Sequence, residues 1–127
     1  MKIEHAALYT FDLERLRTFY EDYFDGKAGK FYQNEETGLK SYFISFADGA
    51  RLELMYRPEL QEAEHSRLWT GWAHLAFKAG TRENVDALTE RLRADGFEVM
   101  DDPRVTGDGS YASCVLDPDG NWIEITA

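Results

Sequence analysis

The chain has 127 residues, of which 43% are hydrophobic and 30% are charged, a balance typical of a single globular domain. Its net charge of −10 argues against binding to nucleic acid or to an anionic membrane surface, because both partners need a basic face. The one cysteine, Cys114, excludes an internal disulfide, and no signal-peptide pattern or run of about 18 apolar residues occurs, so we expect a cytoplasmic protein.

The first half of the sequence predicts a strand, a helix and three more strands. An alternating, β-rich run predicts the first strand over residues 2–9. Asp12 is the expected N-cap of a helix with apolar residues at helical spacing, and Gly26 is its expected end. Three strand-like runs follow, at residues 28–34, 39–46 and 51–57.

The second half repeats this order. Residues 72–78 predict a strand, and Thr81 is the expected N-cap of a helix that ends at Gly96. Asp117 opens the sequence DPDG, a strong turn signal between the last two strands. Three strand-like runs follow the helix, at residues 97–101, 110–116 and 121–126.

The repeated order predicts an internal duplication in an α+β fold. We predict one domain, residues 1–127, built from two βαβββ modules at about 1–57 and 71–127. The polar segment 58–70 would connect them, and His65 within it is expected to be exposed.

A doubled histidine–glutamate pair is the most informative feature of the sequence. Glu53 follows His5 by 48 positions, and Glu124 follows His74 by 50 positions. Each residue lies in a predicted strand. Alone, a strand histidine is more often a hydrogen-bonded structural residue, and a strand glutamate is usually solvated. Two imidazoles and two carboxylates at repeated spacing indicate a metal-ligand set instead.

Strand parity assigns all four residues to one face of the predicted sheets, because alternate side chains point to opposite faces. One face is almost wholly apolar and should pack against the helices; it carries Ala6, Leu8, Leu52, Leu54, Ala73, Leu75, Phe77, Ile123 and Ile125. The other face mixes titratable and aromatic groups, which suits a pocket; it carries His5, Tyr9, Arg51, Glu53, Met55, Arg57, Trp72, His74, Trp122 and Glu124.

These motifs resemble the vicinal oxygen chelate superfamily, which includes glyoxalase I, bleomycin-binding proteins, fosfomycin-resistance proteins and extradiol dioxygenases. The resemblance covers the whole chain and rests on the opening strand with FDLERLRTFYEDYF behind it, on ARLEL, on GWAHLAF and on the closing DPDGNWIEI. It implies two βαβββ modules whose sheets form a cup around one divalent metal, with the helices outside. The implied ligands are His5, Glu53, His74 and Glu124, and the implied assembly is a homodimer.

The fourth ligand favours one branch of the superfamily. Dioxygenases and fosfomycin-resistance proteins typically lack a carboxylate where this chain has Glu53, whereas glyoxalase I and related isomerases have one. Bacterial glyoxalase I usually holds glutathione with an arginine and an asparagine, at positions where this chain has Tyr9 and Tyr56-Arg57. The resemblance therefore extends to the metal chemistry of a lyase or isomerase but not to glutathione as the thiol.

The expected cofactor is one divalent ion, Ni, Zn, Co or Mn, because ligand affinity alone does not select among them. Such an ion is a Lewis acid that stabilises the enediolate formed from a small vicinal-oxygen substrate, for example an α-oxoaldehyde–thiol adduct. The resemblance implies Glu124 as the catalytic base, with Glu53 on the opposite side. Candidate substrate-binding residues are Tyr9, Arg57, Trp72, Tyr111 and Trp122.

Two alternatives stay open. The same fold is compatible with a metal-dependent dioxygenase or an antibiotic-resistance thiol transferase, in which Glu53 has no part in the site. It could also serve a non-catalytic protein that binds a small molecule between aromatic residues without a metal. The aromatic candidates have an equally good explanation as packing residues.

Overall fold

The computed structural model describes residues 1–64 and 68–127, and its secondary structure follows the predicted duplication. The chain divides into two compact units, Met1–Ala63 and Glu64–Ala127. Each unit holds one sheet and one helix, so the α+β class is confirmed. The strands hydrogen-bond as two sheets, one in each unit, and not as a single sheet.

The boundary between the units falls inside the segment predicted as a connector, 58–70. Residues 65–67 of that segment, and with them the prediction for His65, lie outside the described residues.

The first unit contains one helix on a mixed sheet. Its elements are β1 (His5–Tyr9), α1 (Leu13–Phe24), β2 (Lys27–Ala28), β3 (Tyr32–Gln33), β4 (Lys40–Ser45) and β5 (Arg51–Tyr56). The strand order is β1-β5-β4-β2, and β3 also pairs with β4. β1 runs parallel to β5 and β4 runs antiparallel to it, so β5 lies in the middle of the sheet.

Two predictions for this unit need correction. The first strand begins at His5 and not at residue 2. The predicted strand 28–34 is two separate two-residue strands, β2 and β3. Gly29 follows β2, and a glycine within a strand weakens it, because it contributes no side chain to the packing. The amide of Ala28 is also bonded to the Glu21 carboxylate, at 3.1 Å.

Helix α1 begins and ends close to the predicted residues. The Asp12 carboxylate accepts a hydrogen bond from the Arg15 amide at 3.0 Å, which caps the N-terminus. The helix ends at Phe24, and Asp25 adopts a left-handed conformation with φ of 54°. Gly26 follows in a crowded position, since a Cβ there would lie 2.6 Å from Cγ2 of Ile44.

The core of the first unit lies between α1 and the apolar face of the sheet, as predicted. Leu52 and Leu54 are buried there with Ile44. From the helix, the buried side chains are Leu13, Leu16, Phe19, Tyr20 and Phe24. Burial of this side of β5 leaves the alternate residues, Glu53 among them, on the opposite face.

The second unit has the order βαβββ without interruption. Its elements are β6 (Leu75–Lys78), α2 (Arg82–Ala94), β7 (Val99–Val105), β8 (Tyr111–Leu116) and β9 (Trp122–Thr126). The strand order is β6-β9-β8-β7, with β6 parallel to β9. Helix α2 is capped by Thr81, whose hydroxyl accepts from the Asn84 amide at 3.1 Å.

Two strand limits differ from the prediction in this unit. The strand predicted over 72–78 begins at Leu75, so His74 immediately precedes it. The strand predicted over 97–101 extends to Val105, despite Pro103. It is an edge strand with shifts in its register, and edge strands tolerate proline because one side of their backbone is unpaired.

The turn before β9 is held by one aspartate, as the DPDG sequence predicts. The Asp117 carboxylate accepts bonds from the Asp119 and Asn121 amides, both at 2.9 Å, and from the Asn121 side chain at 2.8 Å. The turn sets the register of β9 on β8, and thereby the position of Glu124. Of the described helices, neither has the length and apolar content that a membrane crossing requires.

Candidate metal centre

The first histidine–glutamate pair lies across the parallel strands β1 and β5. The register places His5 beside Arg51 and Ala7 beside Glu53, so both side chains leave the same face of the sheet. His5 Nε2 and Glu53 Oε2 are 3.7 Å apart. Both side chains are partly exposed, at 39% and 18%, and neither enters the helix-packed interior.

The second pair has the same geometry across β6 and β9. Ala76 is beside Glu124 in the register, and His74 lies two residues before Ala76 on the same side. His74 Nε2 and Glu124 Oε2 are also 3.7 Å apart. The duplication therefore extends from the spacing in the sequence to the separation of the donor atoms.

The donor atoms of each pair fit a divalent metal. Nitrogen and oxygen ligands bind such ions at about 2.1 Å, which puts two donors about 3.0 Å apart at a right angle and about 3.4 Å apart at a tetrahedral angle. The observed 3.7 Å is about 0.3 Å longer than the tetrahedral separation and about 0.7 Å longer than the right-angle separation, so each pair must close by that amount to bind one ion. Within either unit, the described residues contain no group of three or more histidine, cysteine or carboxylate side chains that could hold a metal ion.

A carboxylate that the sequence analysis did not select lies behind His5. Glu4 Oε2 is hydrogen-bonded to His5 Nδ1, and Glu4 Oε1 accepts a bond from the Arg51 guanidinium. The hydrogen bond with His5, and to a smaller extent the one with Arg51, holds the pKa of the Glu4 carboxyl below its ordinary value. The only signal in the sequence was the dipeptide Glu4-His5, which is too short to indicate a contact.

Phe43 completes the surroundings of His5. Its ring meets the imidazole edge to face, with centroids 5.4 Å apart and planes at 84°. The Arg51 guanidinium lies over the same ring, 4.2 Å from its centroid, a cation–π contact. Phe43 is beside Glu53 in the β4–β5 register, so it belongs to the same face as the donor pair.

Four of the five predicted substrate-binding residues lie at or beyond the ends of strands near the donor pairs. Tyr9 shares the face of His5 at the far end of β1, and Trp122 shares the face of Glu124. Trp72 is 90% exposed. Arg57 directly follows β5, and its guanidinium forms an ion pair with Glu59 at 2.5 Å. Their binding of a substrate stays a prediction.

Tyr111 does not lie on the face of the second donor pair. The β8–β9 register puts Cys114 beside Glu124, and Tyr111 has the opposite parity. Its hydroxyl donates to Asp86 of α2 at 2.7 Å, which raises the pKa of the phenol. The Arg82 guanidinium lies 4.9 Å from its ring centroid. Tyr111 is therefore a contact between sheet and helix, and the structure does not bring it to the candidate site.

Tyr42 has the same contacts in the first unit. Its hydroxyl donates to Glu14 of α1 at 2.7 Å, and the Arg17 guanidinium lies 5.6 Å from its ring centroid. Tyr42 and Tyr111 are 69 positions apart, the same offset as His5 and His74. The duplication thus includes a tyrosine that joins the sheet to the helix through a carboxylate.

Comparison with known proteins identifies similarity along nearly the whole chain. Residues 2–125 match the family described as Glyoxalase/Bleomycin resistance protein/Dioxygenase superfamily. The uncharacterized protein YqjT of Bacillus subtilis is 33% identical over 98% of both chains. A lactoylglutathione lyase of Haemophilus influenzae is 30% identical over 98% of this chain and 90% of its own.

Among solved structures, glyoxalase I of Zea mays superposes with a TM-score of 0.81 at 22% identity. The alignment covers 98% of this chain and 44% of the maize chain, so this chain spans less than half of that protein. At this identity the likeness shows the fold.

Proposed function

The chain belongs to the Glyoxalase/Bleomycin resistance protein/Dioxygenase superfamily, and from this premise we propose that it is a metal-dependent lyase or isomerase of the glyoxalase I type. The observation that carries the proposal is the repeated pair of donor atoms, His Nε2 and Glu Oε2, 3.7 Å apart in both units. The similarity to a lactoylglutathione lyase supports the same reaction class.

In this proposal the four residues of the two pairs hold one divalent ion, Ni, Zn, Co or Mn. When bound, the ion supplies Lewis-acid polarisation of two adjacent substrate oxygens. The imidazoles and carboxylates bind and orient it. The substrate is a small molecule with neighbouring oxygens, such as an α-oxoaldehyde–thiol adduct.

The two glutamates have different roles in this proposal. Glu124 takes the proton from the substrate carbon that carries the hydroxyl group and delivers it to the neighbouring carbonyl carbon, because a carboxylate at the edge of a metal site is well placed for both transfers. Glu53 stays a ligand on the opposite side. Its presence is what favours a lyase or isomerase over a dioxygenase, in which it would have no role.

Assembly and location are part of the proposal. We expect a homodimer, since large apolar side chains such as Leu68 and Trp72 are almost fully exposed, at 93% and 90%. Light scattering after gel filtration measures this directly. We expect a cytoplasmic location, since the sequence has a single cysteine, Cys114, which excludes an internal disulfide and is buried.

The test begins with the metal content of protein purified without chelators, measured by mass spectrometry. We expect close to one equivalent of divalent metal for each complete ligand set. Ni²⁺ or Co²⁺ added to chelated protein should restore activity on a panel of α-oxoaldehyde–thiol adducts. Less than about 0.1 equivalent of metal, with no uptake of added ions, would contradict the proposal and favour a metal-free binding protein, given the tight binding of such sites.

A further inference from the structure

We propose that Glu4 is the positioning residue of the metal centre: it fixes the ring and the tautomer of His5, so that Nε2 presents its lone pair toward Glu53. This inference rests on the proposed function for the identity of the ion. It adds a residue that is not one of the four proposed ligands. It also predicts that the first module contributes more to metal affinity than the second.

The hydrogen bond from His5 to Glu4 determines the tautomer. A carboxylate only accepts hydrogen bonds, so His5 Nδ1 must carry the proton in this contact. In the neutral ring, Nε2 then has the free lone pair, and it is Nε2 that lies 3.7 Å from Glu53. A carboxylate behind a ligand histidine both orients the ring and raises the basicity of the metal-binding nitrogen.

Glu4 is itself held at three points. Its backbone carbonyl accepts a bond from the Arg51 amide at 3.0 Å, which extends the parallel pairing of β1 and β5 by one residue. The Arg51 guanidinium bonds to Oε1 of the carboxylate, and His5 bonds to Oε2. The guanidinium also lies over Phe43, whose ring meets His5 edge to face. His5, Glu4, Arg51 and Phe43 therefore form a closed ring of contacts.

The second module has no equivalent of Glu4. The residue before His74 is Ala73, whose methyl side chain cannot accept a hydrogen bond. At the position two residues before Glu124, where the first module has Arg51, the second has Trp122. The sequence thus supplies a carboxylate and a cation behind one histidine only.

The first experiment measures Ni²⁺ and Zn²⁺ affinity by competition with a chromophoric chelator, for wild type, Glu4→Ala and Glu4→Gln. We expect Glu4→Ala to weaken binding about 10–100-fold, the usual cost of removing a partner of a ligand histidine. Glu4→Gln should lose less, because the amide oxygen still accepts from Nδ1. Glu90→Ala is the matched control, since it also removes one exposed carboxylate paired with an arginine, Arg93, at 3.2 Å.

The second experiment needs no metal. Long-range ¹H–¹⁵N spectra of chelated, ¹⁵N-labelled protein at a pH where the rings are neutral report the tautomer of each histidine. We expect His5 to be protonated on Nδ1 in wild type and Glu4→Gln, and to shift toward the Nε2–H form in Glu4→Ala. The His74 signal serves as the internal reference and should stay unchanged.

Each outcome has a distinct meaning. If wild type binds the ions and Glu4→Ala binds them as tightly as Glu90→Ala does, Glu4 is not a positioning residue, and the proposed function stands. An unchanged His5 tautomer in Glu4→Ala overturns the inference in the same way. If wild type binds neither ion, the proposed function fails, and the tautomer then decides separately whether Glu4 orients the ring.

Discussion

The two modules have the same donor pair in different surroundings. In both, the histidine Nε2 and the glutamate Oε2 are 3.7 Å apart. His5 begins β1 and His74 immediately precedes β6, and each of these strands runs parallel to the strand of its glutamate. In the first module His5 is bonded to Glu4, and Arg51 holds that carboxylate. In the second, Ala73 stands before His74. The two modules share the distance between the donor atoms but differ in the residues behind the histidine.

This difference leads us to expect that the two modules contribute differently to metal binding and to catalysis. A histidine fixed by a carboxylate and a cation loses little freedom when it binds a metal, so it contributes more to affinity. A glutamate in the less constrained module can change its contacts as a proton moves. We therefore expect the first module to dominate metal affinity and the second to dominate turnover.

The largest expected effect separates the two glutamates. Glu124→Gln should lower kcat about 10²–10⁴-fold, the usual contribution of a general base, because an amide does not take up a proton at neutral pH. Glu53→Gln should weaken metal binding more than it lowers kcat at saturating metal. The measurement is kcat on the best adduct of the panel, with metal occupancy determined in parallel and Glu90→Gln as control. A larger loss of kcat in Glu53→Gln would move the base to the first module.

The hairpin turns of the modules should differ in stability. Asp117 is almost fully buried, at 4% exposure, and its carboxylate accepts three hydrogen bonds. Asp48, 69 positions earlier, lies in the turn between β4 and β5, is exposed and accepts one hydrogen bond, from the Gly49 amide at 2.7 Å. Asp117→Ala should lower the free energy of unfolding by about 2–3 kcal/mol, because two partly buried backbone amides and the Asn121 side chain lose their acceptor. Asp48→Ala should cost about 0.5 kcal/mol.

Urea unfolding of both variants checks this, with fluorescence of the tryptophans as the signal. Equal midpoints for Asp117→Ala and Asp48→Ala would show that burial does not distinguish the two turns.

Alanine substitution of the glycine that follows each helix, Gly26 or Gly96, should destabilise the protein for a different reason in each module. At Gly26 a Cβ would lie 2.6 Å from Ile44 Cγ2 and 2.9 Å from the Tyr20 carbonyl oxygen, so we expect a cost of about 1–3 kcal/mol from overpacking. Gly96 has open space around it, but φ is 93°, so the cost is backbone strain of about 1–2 kcal/mol.

A second substitution separates the two causes. Ile44→Ala removes Cγ2, the atom nearest to the added Cβ, and should recover part of the loss in Gly26→Ala, whereas it should not reduce the loss in Gly96→Ala. Thermal unfolding of the two double variants measures this. Additive losses in both would contradict steric crowding as the cause at Gly26.

Most of the fold could be predicted from periodicity, caps and turns. Asp12 and Thr81 mark the helix starts because their side chains can accept from the first-turn amides, and this signal is local. Strand limits were less accurate. The run 28–34 divides after Ala28, where Gly29 is a local signal that the strand prediction did not use. The length of β7 depends on its position at a sheet edge, which the local sequence does not contain.

Residues of the candidate site could be predicted only where the duplication marked them. The pairs His5–Glu53 and His74–Glu124 repeat at a fixed offset, and parity gives their face. The sequence did not predict Glu4 as a site residue, because its role depends on a side-chain conformation. At the start of the strand its carboxylate turns back to bond with Nδ1 of the neighbouring His5. Tyr111 was misplaced because an aromatic strand residue near a site suggested a pocket, although its parity already put it on the helix side.

The smallest expected effect concerns the two tyrosines that join sheet to helix. Tyr42→Phe and Tyr111→Phe each remove one hydrogen bond to an exposed helix carboxylate, Glu14 or Asp86, so each should cost about 0.5–1.5 kcal/mol in unfolding. Because Tyr111 lies on the helix side, its loss should leave KM and metal affinity at the wild-type values, as the loss of Tyr42 should. A rise in KM for Tyr111→Phe alone would show that its hydroxyl reaches the substrate and that the two modules differ here as well.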